Sequence, residues 1–179
     1  MSVSTKMLVK QAQNGNAEAF GELYETYADE LYRYALWYLG SKEAAEDAVQ
    51  ETICNAYIKI SALKKAESFK PWIFKILVNC CKHILREKIT QRNTTLPQDE
   101  AEETSADFIG DEELALREAV LQLEVEEKEI LLLSAIYGYN SSEIGKMLSL
   151  PSGTVRSKLS RTAEKLRKKL TDTNAHFPL

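Results

Sequence analysis

Apolar residues in the first half of the chain recur at three- and four-residue spacing, which is the pattern of amphipathic helices. The longest such stripe predicts a helix over 17–39, preceded by a break at 14–16. Gly40 and Ser41 are typical of one helix end followed by the cap of the next helix. The second helix is therefore predicted over 41–60. Its predicted buried positions are Ala45, Ala48, Val49, Ile53, Ala56, Tyr57 and Ile60.

A third helix is predicted over 69–88, after a polar, lysine-bearing loop at 61–68. Pro71 falls in its first turn, where proline is tolerated. The predicted core face of this helix holds Ile73, Ile76, Leu77, Cys80 and Ile84. The other face holds Trp72, Lys75, Asn79, Lys82, His83 and Arg86. Cations, an amide and an aromatic ring on one face can contact phosphates, base edges and an unstacked base. Trp72 taken alone is better explained as a core residue.

Hydrophobic periodicity then fades, and the chain becomes polar and acidic before helical spacing returns. This predicts an all-α protein of two small helical domains, residues 1–92 and 113–171, with the helix-turn-helix described below in the second. A flexible acidic linker is predicted over 93–112 and a frayed tail over 172–179. The second domain's predicted helices cover 114–123, 126–137 and the two helices within 141–161.

The segment 141–161, SSEIGKMLSLPSGTVRSKLSR, predicts a helix-turn-helix with a basic second helix. Ser141 and Ser142 can cap the first helix. Pro151 cannot continue that helix, and Ser152 can cap the second. The residues predicted to face outward on the second helix are Arg156, Ser157, Ser160 and Arg161. Such donors suit a DNA major groove, although an αα-hairpin with a merely solvated basic face fits the pattern too. Many such motifs have a glycine in the turn where this chain has Ser149, and a serine with φ > 0 is more costly.

The charges are unevenly distributed, although the net charge is only −4. Residues 64–92 hold eight Lys/Arg against two Glu, and residues 141–171 hold the same numbers. Between them, residues 97–129 hold thirteen Asp/Glu against two Lys/Arg. Two basic blocks suit a protein that touches nucleic acid in two places, and ordinary solvated surface is the alternative.

The predicted helix over 41–60 has an acidic outer face, which is either a docking face for a basic protein or solvated surface. Its members are Glu43, Glu46, Asp47, Gln50 and Glu51.

Several classes of protein find no support in the sequence. The three cysteines (Cys54, Cys80 and Cys81) form no CxxC, and only two histidines are present, so neither a metal site nor a disulfide framework is expected. The thiols are predicted to be free and buried or half-buried. No nucleophile elbow or P-loop occurs, so the chain is not expected to be an enzyme. No apolar run is long enough for a membrane span and no signal peptide is evident, which predicts a cytoplasmic protein.

Three ordered motifs resemble those of one family. AEDAVQETI at 45–53 is similar to an AEDxVQExF-like signature, and FKPWIFKILVN at 69–79 to an FRxWLFRIxxN-like signature. TVRSKLSRTA at 154–163 is similar to a TVRSRLxRA pattern. Over 8–170 the chain resembles a bacterial RNA polymerase sigma factor of the extracytoplasmic-function type.

The resemblance implies a role for each face. The clamp helices of the polymerase β′ subunit would be the docking site for Asp47, Gln50 and Glu51. The β flap of the polymerase is a further implied contact of the protein. The residues implied in binding the −10 element are Lys64, Lys65, Lys75, Asn79, Lys82, His83 and Arg86. The residues implied in binding the −35 element are Thr154, Arg156, Ser157, Lys158, Ser160 and Arg161. An anti-sigma factor is a further implied partner, and no cofactor is implied.

The chain also departs from the family pattern. His83 stands where the family often has Asp, and Glu124 and Lys128 stand near positions that often hold Pro and Arg. The alternative function is a stand-alone helix-turn-helix regulator whose first domain senses a ligand or dimerises. A regulator binds its promoter alone, whereas a sigma factor usually needs core polymerase.

Overall fold

The computed structural model describes residues 3–94 and 111–174, and within them the protein is all-α, as predicted. The linker predicted at 93–112 and the tail predicted at 172–179 fall mostly outside the described residues. Two short 3₁₀ turns, Ile60–Ala62 and Ala66–Ser68, connect the third and fourth helices. The helices are α1 (Val3–Gln13), α2 (Ala17–Leu39), α3 (Lys42–Lys59), α4 (Phe69–Thr94), α5 (Asp111–Leu121), α6 (Val125–Ala135), α7 (Ser141–Leu148) and α8 (Ser152–Asn174).

Both ends of α2 coincide with the prediction, because local capping chemistry determines them. The Asn16 side chain accepts a hydrogen bond from the Ala19 amide at 3.0 Å. Gly40 ends the helix in the left-handed region at φ 78°, and its amide donates to the Leu36 carbonyl at 2.9 Å. Ser41 then caps α3 by accepting from the Ala44 amide at 3.3 Å.

The predicted caps of the helix-turn-helix were wrong. Asn140, not Ser141 or Ser142, caps α7, because its side chain accepts from the Ser142 and Glu143 amides at 2.9 and 3.1 Å. The Glu143 carboxylate accepts in return from the backbone amide of Asn140 at 2.9 Å, which completes a capping box. Ser152 is not a cap either, since α8 already begins at that residue.

The turn between α7 and α8 is tight. Ser149 does take the costly left-handed conformation, with φ 60°. The chain then returns so closely that a Cβ on Gly145 would lie 2.5 Å from the Leu150 carbonyl oxygen. The glycine that this turn requires is therefore Gly145, inside α7, rather than a residue at position 149.

The core begins with α2 and extends through both halves of the molecule. Tyr34 and Tyr38 are completely buried, and the same hydrophobic cluster includes Phe74 from α4 and Ile130 from α6. Two burial predictions were wrong. Tyr57 is 45% exposed, with one ring edge on Phe20, and the Cys54 thiol is exposed. The predictions for Cys80 and Cys81 were confirmed, since both are free and buried.

The two halves meet along a polar and aromatic interface. The rings of Phe74 on α4 and Tyr137 after α6 lie 4.7 Å apart. The Arg117 guanidinium on α5 donates to the Gly40 carbonyl at 2.7 Å. A Cβ on Gly40 would lie 2.9 Å from Leu121, so the end of α2 fits against α5 only without a side chain. The halves therefore pack as one body over the described residues.

Candidate nucleic-acid and polymerase interfaces

The outer face of α4 presents a continuous polar stripe. Its exposed members are Lys75, Asn79, His83 and Arg86, which follow one another at helical spacing. His83 Nδ1 lies 3.4 Å from the Glu87 carboxylate one turn on. Trp72 is half-buried with its ring 5.8 Å from that of Phe69, in agreement with its interpretation as a core residue. The stripe thus offers cations and an amide to a ligand outside the protein.

Lys82 does not share the exposure of its neighbours on α4. Its side chain is 28% exposed, and its amine lies 3.0 Å from Oε1 of Glu129 on α6. The Tyr38 hydroxyl donates to the same oxygen at 3.2 Å. Burial raises the pKa of the Glu129 carboxyl, and the hydrogen bonds from Lys82 and Tyr38 oppose that rise. In this arrangement the Lys82 amine is occupied by the second half of the chain.

Sequence reasoning missed the part that Glu129 and Lys128 play. Lys128 is 4% exposed, its amine donates to the Tyr38 and Leu121 carbonyls at 3.3 and 3.1 Å, and burial lowers its pKa. Both residues directly precede the apolar run Ile130–Leu133. Two charged residues next to an apolar run could have predicted these contacts, because a charge on a buried helix face needs a partner.

The loop before α4 carries two further cations. Lys64 and Lys65 are exposed, and the buried side chains of Ile60 and Leu63 attach the start of the loop to the core. Phe69 at the end of the loop is also buried. Both ends of the loop are therefore attached to the core, and its two lysines lie between them on the surface. The lysines of this loop therefore stand directly before the first cation of the α4 stripe along the chain.

The acidic face of α3 is exposed as predicted. Asp47, Gln50 and Glu51 lie on one side of the helix, and the exposed Cys54 follows one turn later. A shallow groove of about 340 Å³ runs between α2 and α3 beside this face. Its lining includes Tyr24, Asp29, Tyr32, Glu46 and Gln50. An acidic rim around half-buried tyrosines suits a partner that brings cations.

The second helix of the helix-turn-helix buries Val155 and exposes a row of donors. Those exposed donors are Arg156, Ser157, Ser160 and Arg161. The Arg161 guanidinium donates to the Ser157 hydroxyl at 2.9 Å, which holds the two side chains together. Thr154 and Lys158 are half-buried, and the Lys158 amine lies 3.0 Å from the Glu126 carboxylate. Lys158 is therefore already paired with α6, unlike Arg156.

Within residues 3–94 and 111–174, no group of three or more His, Cys, Asp or Glu side chains could hold a metal ion. In the same residues no helix has the length and hydropathy that crossing a bilayer requires.

Two family models match the chain in the regions that carry these faces. Sigma-70 region 2 matches residues 23–89, and Sigma-70, region 4 matches residues 113–166. The ECF RNA polymerase sigma factor SigW of Bacillus subtilis is 28% identical over 186 residues, which covers 96% of this chain and all of that protein. The chain belongs to the extracytoplasmic-function sigma factors. The resemblance drawn from its three motifs is thereby confirmed.

Solved structures share the fold of this sigma factor. CnrH in complex with the cytosolic domain of CnrY is 22% identical with a TM-score of 0.75, over 94% of this chain and 98% of that one. The sigma factor RpoE in complex with the anti-sigma factor NepR, from Bartonella quintana, is 20% identical with a TM-score of 0.73. That match covers 87% of this chain and 98% of RpoE.

The family fixes the general function of this sigma factor. It binds core RNA polymerase and directs transcription initiation to promoters by recognising −35 and −10 elements. The stand-alone regulator is not favoured. The α3 face and the α4 stripe lie in region 2, and the donor row of α8 lies in region 4.

Proposed function

We propose that the acidic face of α3 docks on core polymerase while α4 and α8 read the two promoter elements. The observation that carries this proposal is that the region 2 match exposes an acidic face on α3 and a cationic stripe on α4, while the region 4 match exposes a row of donors on α8. Asp47, Gln50 and Glu51 would meet the cationic side of the β′ clamp helices, because a carboxylate face repels DNA and attracts a basic protein surface.

The −10 element would be held by the loop before α4 and by the α4 stripe. Lys64, Lys65, Lys75 and Arg86 are placed to pair with phosphates, which positions the strand without reading it. Asn79 and His83 offer hydrogen-bonding groups to an unstacked base, and the backbone of the loop at 61–68 would form part of the pocket that receives it. Splaying a base costs stacking energy of a few kcal/mol, which contacts to its edge and phosphates offset. Binding energy, rather than a catalytic step, would stabilise the melted strand.

The −35 element would be read by α8 in the major groove. Arg156 is exposed, and a bidentate arginine on guanine contributes about 1–3 kcal/mol of discrimination. Ser157, Ser160 and Arg161 would contact neighbouring base edges. Thr154 and Lys158 would reach phosphates, and Lys158 would exchange its partner Glu126 for DNA.

Promoter binding would also require the two halves to separate. The Lys82 amine pairs with Glu129 across the interface, so it reaches DNA only after α6 moves away from α4. Separation would also let the two readers span the distance between −35 and −10 elements. We assign residues 1–92 to the first unit, 93–112 to the connection, 113–171 to the second unit and 172–179 to a tail.

The proposed partners are core polymerase, including the β′ clamp helices and the β flap, promoter DNA and an anti-sigma factor. RpoE, which shares the fold, is described in complex with an anti-sigma factor. An anti-sigma factor for this chain would stabilise a form in which the promoter-reading faces are unavailable. The protein would act in the cytoplasm without inserting into a membrane itself.

Run-off transcription tests the proposed function. Purified core polymerase is supplied with a library of promoter fragments, with and without this protein. We expect transcripts that need both components and share spaced −35 and −10 sequences. Specific retardation of DNA by the protein alone, without any new transcript, would instead support a stand-alone regulator.

A further inference from the structure

Helix α1 lies outside both matched regions, yet it contacts the loop that precedes α4. Gln13 is the last residue of α1. Its side-chain nitrogen Nε2 donates to the Ile60 carbonyl at 3.2 Å and to the Leu63 carbonyl at 2.6 Å. A second contact joins the Lys6 amine to the Glu67 carboxylate at 2.6 Å. The helix thus touches the loop near both of its ends.

The two hydrogen bonds from Gln13 require an amide NH₂ group. Both acceptors are carbonyl oxygens, and an NH₂ group has one hydrogen for each of them. The Ile60 carbonyl also accepts from the Leu63 amide at 3.0 Å, so Gln13 reinforces the first turn of the loop. A leucine at position 13 would be one bond shorter and would have no donor.

Gln13 is itself held firmly. Val9 and Ala12 are buried and attach α1 to the core. Directly after Gln13 the chain turns at Gly15, whose φ of 89° favours glycine, and α2 begins one residue after Asn16. The Gln13 side chain therefore connects a fixed helix end to the backbone of the loop.

We infer that Gln13 is a positioning residue for −10 recognition, which it serves by holding the backbone of residues 60–68 in one shape. The inference rests on the proposed role of that loop in binding the −10 element. A pocket formed by a loop discriminates between bases only if its backbone is held, since a relaxed loop adapts to several of them. Loss of the Gln13 hydrogen bonds would therefore reduce selectivity more than it reduces binding.

The experiment uses holoenzyme assembled with the full-length chain. The template is the promoter that the wild-type protein selects from the run-off library, with each −10 position randomised in turn. Gln13→Leu and Gln13→Ala remove the donors. Gln11→Leu is the matched control, because Gln11 is exposed on the same helix. Hydrogen exchange of the Leu63 and Ser68 amides, which bond within the loop, measures its order directly.

We expect discrimination at one or more −10 positions to fall by about threefold to tenfold, the range for losing one or two hydrogen bonds. Preferences at −35 should be unchanged, and the two loop amides should exchange faster in both Gln13 variants. Unchanged −10 preferences in the Gln13 variants would overturn the inference, even if total transcription fell. No −10 preference in the wild-type holoenzyme would contradict the proposed role of the loop, and this inference with it.

Discussion

Lys82 on α4 and Glu129 on α6 form an ion pair across the two halves of the molecule, with 3.0 Å between the amine and the carboxylate oxygen. Glu129 is 1% exposed, so the pair forms in a largely dry environment with Tyr38 as its third member. A cation proposed to bind the −10 element is thus neutralised by the half of the chain to which we assign the −35 element.

Glu129→Ala should weaken the interface between the halves. It leaves the Lys82 amine and the Tyr38 hydroxyl without their acceptor, which we expect to cost about 2–4 kcal/mol of unfolding free energy. Urea unfolding measures this cost, and small-angle scattering of the folded protein should give a larger radius of gyration. Glu164→Ala is the control, because Glu164 pairs with Lys168 on the exposed surface of α8. Equal stability of the two variants would refute the importance of the buried pair.

Glu51→Ala should lower affinity for core polymerase without changing the fold. We expect a loss of about 1–2 kcal/mol, since Glu51 is an exposed member of the proposed docking face. Fluorescence anisotropy of labelled protein titrated with core polymerase gives the dissociation constant. Glu87→Ala removes an exposed carboxylate from α4 and should leave that constant unchanged. Identical constants for wild type and Glu51→Ala would rule out the assigned face.

Cys54 provides a footprint of the same face. A maleimide at neutral pH should modify Cys54 in the free protein and spare the other two cysteines. Burial raises the pKa of the Cys80 and Cys81 thiols and excludes the reagent from them. Mass spectrometry after brief labelling should show Cys54 protected in the holoenzyme, with Cys54→Ser as the unlabelled reference. Labelling at the same rate with and without core polymerase would place the interface elsewhere.

Lys75 and Asn79 should act differently on the −10 strand. Lys75→Gln should reduce the salt slope of holoenzyme binding to a −10 single strand by about 0.7, the value for one phosphate contact. Asn79→Ala should leave the slope unchanged and alter base preference, because an amide carries no charge. Lys10→Gln removes an exposed cation from α1 and serves as the control. A change of slope in the Asn79 variant, or none in the Lys75 variant, would contradict the assignment.

Arg156→Ala should relax −35 specificity at one base pair by about 1–3 kcal/mol. Arg156→Lys should relax it as well, because lysine lacks the planar fork of arginine. Promoter selection by the holoenzyme from a library randomised at −35 gives the preference at each position. Arg167→Ala tests the same exposed face about 16 Å further along α8 and should have no base-specific effect. Unaltered −35 choice in Arg156→Ala would exclude the proposed contact.

The parts of the fold that local chemistry determines could be predicted from the sequence. The bounds of α2 follow from Asn16 and Gly40, which cap the helix with their own side chain and backbone. Asn140 could have been predicted as well, because Glu143 stands three residues after it, at the capping-box spacing. Local rules failed there only because three consecutive residues are all capable caps.

What depends on contacts between distant segments could not be predicted. Tyr57 sits at a position of α3 that helical spacing marks as buried, but the outcome depends on which helix packs beside it, and 45% of the side chain remains exposed. Lys82 is one of several cations on one helix face, and only the position of Glu129 in the second half distinguishes it. The Gln13 contacts join α1 to a loop that no periodicity connects with it.

Gly40 places the end of a helix and the seam between the two halves at the same residue. The conformation that ends α2 depends only on nearby residues, so it can form as soon as the first half emerges from the ribosome. Because Gly40 has no side chain, the first half leaves space there for Leu121. It also exposes the Gly40 carbonyl, to which Arg117 later donates. During synthesis, α5 can therefore meet a helix end whose backbone conformation is already set.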